Sequence, residues 1–360
     1  MELVTKLGSA DVAHLVELLD EKQSIIATTV ASAQSTSTST VDSVDLELAW
    51  ELARRVEASD VSNETVSRIE RSFDYLAVAY STSPPAALLP QLRTYLAYVN
   101  SLMDKRSTIA EKQRLIVAGG WLSLLAATCH IDLQHQHSAT EYPRTAASLA
   151  RHAEHAEIRA WCYETQAWRV LTDGDYPRAI ELSRAAQHHA PRGSSAAIQA
   201  AAQEGRAHAR LGDTRQTTQA ISTVHQLVTP LPARDVEHHY HYDPHKVIAY
   251  TATTLAWAGD PAAESHAREI IERLRPATPT DPARWPRRIA SAHLDLAMAL
   301  TTTGRFDEAC HTATQAIESG RIVPSNIWRV TEIIRRIDAL DIPEADTLRD
   351  AYRGLVSLTR

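Results

Sequence analysis

Residues 160–191, AWCYETQAWRVLTDGDYPRAIELSRAAQHHAP, decide the fold. The stretch reads as a helix, a short turn at Gly174, and a second helix rich in small residues that ends at Pro191. The same punctuation returns in AAQEGRAHARLGDTRQTTQAISTVHQL (201–227), AYTATTLAWAGDPAAESHAREIIERL (249–274) and HLDLAMALTTTGRFDEACHTATQAIESG (293–320). The turn glycines Gly174, Gly212, Gly259 and Gly304 are separated by 38, 47 and 45 residues. The tetratricopeptide period is about 34 residues, and Pro-rich loops between the units carry the excess. Two antiparallel helices that cross closely need small residues at the contact and a bulky one beside it. Ala167, Ala179 and Ala186 take the small positions in the first unit, with Tyr176 after the turn. Ala297, Ala309 and Ala316 do so in the last, with Phe306 after the turn. The second unit has Gly205 but Thr217 in place of the later alanine, and the third is shortened around Pro261. Residues 114–153 keep the rhythm without the glycine, as a degenerate unit. The expected fold is all-α, a tetratricopeptide-like superhelix of antiparallel helix pairs, because such units bury their faces only by stacking.

Composition agrees. Of 360 residues, 44% are hydrophobic and 22% charged, which suits a chain with a core, and the scarcity of glycine (11) and phenylalanine (2) beside abundant alanine favours helix. A net charge of −7 gives no general attraction to nucleic acid or anionic membranes. Three cysteines, odd in number and without C-x-x-C or metal-ligand spacing, indicate a reducing compartment. The opening residues lack a signal-peptide pattern and no run of 18 apolar residues is visible, so the expectation is a cytoplasmic protein without a membrane partner.

The chain divides into an N-terminal helix (1–30), a Ser/Thr-rich linker (31–45), an irregular helical region holding the degenerate unit (46–156), the repeats (157–335) and a C-terminal capping helix (336–360). Two histidine clusters invite a metal reading: His238, His239, His241 and His245 with Asp243, and His130, Asp132, His135 and His137. Neither contains H-E-x-x-H or a paired E-x-x-H, so no metal or other cofactor is assigned. In the alternative, Asp243 and Pro244 start a helix and the tyrosines pack. No nucleophile elbow, phosphate loop or dinucleotide fingerprint is present, and the expectation is a protein that is not an enzyme. A metal-dependent enzyme would rest on a histidine cluster alone. The segment 52–73 has the rhythm of a helix-turn-helix, but its spacing is too long and acids match its four arginines, so direct DNA binding from it is not expected.

Several stretches in order carry a resemblance: ELARRVEASDVSNETVSRIE (51–70), RLIVAGGWLSLLAATCHIDL (114–133), EIRAWCYETQAW (157–168), EHHYHYDPHKVIAYTATTLAWAGD (237–260) and SGRIVPSNIWR (319–329). Over about residues 46–335 the chain resembles the C-terminal tetratricopeptide (TPR) sensor region of actinobacterial helix-turn-helix transcriptional regulators of the xenobiotic-response-element (XRE) type. In that family a DNA-binding domain precedes the repeats; here LGSADVAHL (7–15) resembles the linker after it, which implies either a stand-alone relative without the reading head or a chain whose start has been cut. The resemblance implies a regulatory sensor or scaffold that holds a peptide, a protein segment or a small ligand in a concave groove. It places His239, Tyr240, Tyr242, Asp243 and Lys246 where the loop opens a groove-facing helix. Polar residues of first helices (Glu164, Gln203, Glu204 and Arg206) are further groove candidates, and a solvated face would explain them equally. Among Trp121, Trp161, Trp168 and Trp257, most fill gaps and one or two line the groove; Trp168 and Trp257 are the candidates. A homodimer remains open.

Overall fold

The computed structural model describes residues 59–232, 236–275, 285–338 and 342–357, which belong to one compact unit, Ser59–Arg360. The expected N-terminal helix, the Ser/Thr-rich linker and residues 46–58 lie outside the described residues.

Among the described residues there are fourteen α-helices and no strand. They are α1 (Asn63–Ala79), α2 (Pro85–Met103), α3 (Ile109–Asp132), α4 (Gln136–His152), α5 (Ala156–Thr172), α6 (Tyr176–His189) and α7 (Ser195–Arg210). They continue as α8 (Thr214–Val228), α9 (Lys246–Ala258), α10 (Ala263–Arg273), α11 (Pro286–Thr302), α12 (Phe306–Glu318), a short 3-10 turn at Pro324–Asn326, α13 (Ile327–Ile337) and α14 (Pro343–Ser357).

One turn design joins most of the pairs. Gly174 adopts φ +88° and Gly304 φ +77°, left-handed backbone that costs a residue with a side chain about 1–2 kcal/mol. The N–H three places past the last helical residue then reaches back to close the Schellman bond: Asp175 to the Val170 carbonyl (2.9 Å), Asp213 to His208 (3.0 Å) and Arg305 to Leu300 (3.0 Å). Asp175 and Asp213 next cap α6 and α8 by accepting from Arg178 N–H and Gln216 N–H. The degenerate unit uses the same turn without glycine. Gln134 (φ 56°) and Glu154 (φ 51°) take the left-handed conformation, and His135 N–H bonds the His130 carbonyl at 2.9 Å.

Helices pack in neighbouring pairs, and each odd-numbered helix from α1 to α13 also packs on the next odd-numbered one. The small positions read from sequence sit at these contacts: Ala167, Ala179, Ala186, Ala297, Ala309 and Ala316 are fully buried. The core changes character along the chain. Leucines and aromatic rings (Leu115, Leu122, Phe73, Trp161) fill the N-terminal part, whereas alanines dominate from α7 onward. Helix α3 is long and apolar enough, by length and composition, to cross a membrane, although charged and polar residues interrupt its apolar stretches. Here 83% of its most apolar window is buried by neighbouring helices, the placement of a core helix.

Candidate functional site

Successive odd-numbered helices present polar side chains to one space. On α5, Glu164 and Trp168 stand four residues apart; on α7, Gln199, Gln203 and Arg206 follow the i, i+4, i+7 spacing of one helix face. Helix α9 adds Thr253 and Trp257, α11 adds Arg287, Ser291 and Leu294, and α13 adds Arg329. Together they wall a cavity of about 270 Å³. A second cavity of about 250 Å³ shares Gln199, Arg206, His239, Thr253, Arg287 and Ser291 with it and extends to Tyr242, Lys246 and Asp295.

Residues far apart in sequence complete the wall. Tyr80, just past α1, donates to Asp132 of α3 at 2.6 Å, and Ser325 donates to the other oxygen of that carboxylate at 3.3 Å. Arg287 lies over the Tyr80 ring, 4.3 Å from its centroid, and donates to the Ser83 carbonyl; Arg321 donates to the Thr82 carbonyl at 2.7 Å. The end of α1 is thereby held against α11 and the segment before α13.

The ten candidate residues divide. Glu164, Trp168, Gln203, Arg206, His239 and Trp257 line the first cavity, and Tyr242 and Lys246 line the second. Tyr240 and Asp243 stand apart from both. Tyr240 is 1% exposed, its ring 5.0 Å from Trp121, 5.1 Å from Trp161 and 5.8 Å from Phe73. The loop crosses from α8 to α1, where His239 N–H donates to the Ala77 carbonyl, and this drives the Tyr240 ring into the N-terminal core. Asp243 accepts from His245 N–H and, at 3.1 Å, from Arg288, so it fixes the turn before α9. Glu204 also turns away, toward Arg184 and Gln187. Trp121 and Trp161 belong to the aromatic core.

The histidine clusters do not converge. His130 and His135 meet through their Nδ1 atoms at 3.0 Å, while Asp132 points to Tyr80 and Ser325 and His137 is exposed. His238 stacks on His241 at 4.0 Å and faces Asp74, whereas His239 packs edge-on to Tyr80. Among the described residues no three His, Cys, Asp or Glu side chains form a metal-holding set. In the described part of the 52–73 segment, Val66, Ile69 and Phe73 are buried core residues and Arg71 pairs with Glu64.

Electrostatics distinguish the wall residues. Six cations border the two cavities, and four have carboxylate partners. Arg329 is ion-paired with Asp295; Arg288 lies 3.1 Å from both Glu237 and Asp243; Lys246 meets Glu237 at 3.1 Å; Arg287 lies 3.4 Å from Asp132. Burial alone would raise Glu237, but Lys246 and Arg288 overcome it and draw that carboxyl down to about 2. Arg206 and Arg321 have no carboxylate at ion-pair distance among the described residues. Arg206 donates through Nη1 to Gln203 Oε1 (3.0 Å) and lies over the Tyr250 ring, while its Nε is buried without an acceptor. Gln203 in turn donates to Glu164 at 2.8 Å. Burial pushes the Glu164 carboxyl up to about 7, against hydrogen bonds from Gln203 and Gln199 and the charges of Arg206 and Lys246. His239 is driven by burial down to about 3 and is neutral at physiological pH.

Sequence reading missed Tyr80, Gln199, Arg287, Ser291, Arg321 and Arg329. One signal was available: Arg287, Ser291 and Leu294 repeat on α11 the helical spacing that Gln199, Gln203 and Arg206 have on α7. No family model matches the sequence, and no curated protein matches it significantly.

Proposed function

We propose that the chain is a regulatory binding protein: a tetratricopeptide-like superhelix whose concave face holds a peptide, a protein segment or a small ligand, in the service of transcriptional control. One observation carries this reading. Consecutive odd-numbered helices each give polar or aromatic side chains to a single cavity, and the Arg206 guanidinium that borders it has no carboxylate at ion-pair distance among the described residues. A bound acceptor would supply the partner this cation lacks. Trp168 and Trp257 offer apolar planes beside polar groups that fix orientation, the usual make-up of a ligand pocket. The reading is one of binding, and the thiols Cys129, Cys162 and Cys310 are buried in packed helices apart from the cavity wall. Those free thiols also fit a reducing compartment. Because the helices are held chiefly by neighbour contacts, a ligand touching α5 to α13 together would favour one curvature of the array, which a transcriptional partner reads.

The test is thermal unfolding of the purified protein with and without the low-molecular-mass fraction of a protease-digested extract of its source organism, which supplies small molecules and peptides cut from protein partners, followed by native mass spectrometry. A ligand at one hundred times its Kd stabilises by about 2.7 kcal/mol, which raises Tm by several degrees. The expected result is such a rise, a retained ligand mass, and loss of both in Trp168→Ala. An unchanged Tm with no retained mass would falsify the reading.

A further inference from the structure

We infer that the ligand is an amphipathic carboxylate, either a free peptide C-terminus or a small organic acid, anchored through the Arg206 guanidinium with its apolar body between Trp168 and Trp257. The inference rests on the binding reading above and names the chemistry of that site.

The argument begins with what Arg206 has and lacks. A guanidinium offers five donors in a planar fork that matches a carboxylate. One goes to Gln203, and no carboxylate of the described residues pairs with the group. Gln203 accepts from Arg206 through its oxygen and donates to Glu164 through its nitrogen, so it holds the fork in place. The neighbouring Arg321 likewise has only a backbone carbonyl, that of Thr82. The cavity thus carries uncompensated positive charge within a chain of net charge −7.

Glu164 adds a second contact for the anion. Its carboxyl faces Gln199, Gln203 and Arg206 from α7, Lys246 from α9 and neutral His239 from the loop before α9. Lys246 is held by Glu237, which leaves Arg206 as the nearby cation without a carboxylate. Near neutrality Glu164 holds its proton about half the time, and in that form it is a donor toward an incoming anion. A carboxylate matches the planar fork of Arg206 and accepts from Glu164 in its protonated form. Trp168, Trp257, Leu294 and Ile322 add an apolar part to an otherwise polar wall, and that part suits a hydrocarbon or aromatic body.

The experiment uses the full chain and the same extract fraction in three forms: untreated, methyl-esterified so that carboxylates are capped while phosphates keep their charge, and phosphatase-treated. Tm and retained ligand mass are read for the wild type, Arg206→Gln and Arg206→Lys. The expected pattern is stabilisation by untreated and phosphatase-treated extract, none by esterified extract, binding weakened on the order of tenfold in Arg206→Gln, and partial recovery in Arg206→Lys. Stabilisation that survives esterification, that disappears with phosphatase, or that is as strong in Arg206→Gln as in wild type overturns the carboxylate assignment and leaves the binding reading standing. No stabilisation of the wild type by any extract removes the binding reading and this inference with it. Should circular dichroism show that Arg206→Gln does not fold, the wild type alone decides: equal stabilisation by untreated and esterified extracts overturns the carboxylate assignment.

Discussion

Two arginines on the same cavity wall live in opposite circumstances. Arg329 is 3% exposed, ion-paired with Asp295, and bonded to the Ser291 hydroxyl and carbonyl. Asp295 is completed in turn by the Thr253 hydroxyl at 2.7 Å, so this network ties α9, α11 and α13 together with partners the chain itself supplies. Arg206, on α7, ends in a chain of three side chains whose only carboxyl is partly neutral; Nε is buried without an acceptor in both arginines, and the ion pair is what separates them. Both sites place a guanidinium where water is scarce. The first spends it on holding helices together, and the second leaves it for something the chain does not contain. The lesson is that charge in a concave wall marks a ligand site only where the protein has not already neutralised it.

The sharpest way to break this contrast is to remove the partner on the structural side. Asp295→Asn leaves the Arg329 charge buried and uncompensated, and an expected loss of about 3–5 kcal/mol should appear in chemical denaturation. A loss under about 1 kcal/mol would mean that the Arg329 network does not hold the helices. Next in size is the pH dependence on the other side. Glu164 ionises near 7 when folded and near its ordinary value of 4.5 when unfolded. Between these values the folded state binds more protons, so this group's stabilisation is complete below 4.5 and is lost as pH rises through about 7. The displacement amounts to roughly 3 kcal/mol at most. Glu164→Gln, which keeps an oxygen for Gln203, should flatten stability between pH 5 and 8 and be more stable than wild type at the alkaline end; an unchanged profile would contradict the assignment. Gly205→Ala comes third. A Cβ there would lie 2.1 Å from the Tyr250 hydroxyl and 2.8 Å from Ala220 Cβ, and overpacking of about 1–3 kcal/mol should displace the ring beneath Arg206. The smallest effect sharpens the contrast most: Arg206→Gln should change the stability of the ligand-free protein by less than about 1 kcal/mol, because no ion pair is lost.

Much of the architecture could be read from the sequence, because the turn glycines and small residues encode local geometry. Gly174, Gly212 and Gly304 mark left-handed turns, and the paired alanines mark close helix contacts. The turns at Gln134 and Glu154 were hidden because those residues carry no sign of the backbone they adopt. Part of the site was legible for the same reason: Glu164, Trp168, Gln203 and Arg206 recur at helical spacing within repeats. Arg287, Arg321 and Tyr80 were not, since their roles arise from contacts spanning more than 200 residues, such as Arg287 to Ser83 and Arg321 to Thr82. The histidine- and tyrosine-rich loop shows the limit of composition. His239 and Tyr240 are adjacent and similar in kind, yet one lines the cavity and the other fills the core, a choice made by the crossing of the loop onto α1.

The most direct measurement is a crystal structure of the protein purified with its ligand from the source organism. The account predicts ordered density of a non-water group between Trp168 and Trp257, with an acceptor atom at hydrogen-bond distance from the Arg206 guanidinium. A cavity holding only water, or an Arg206 that has turned to pair with Glu164, would contradict it.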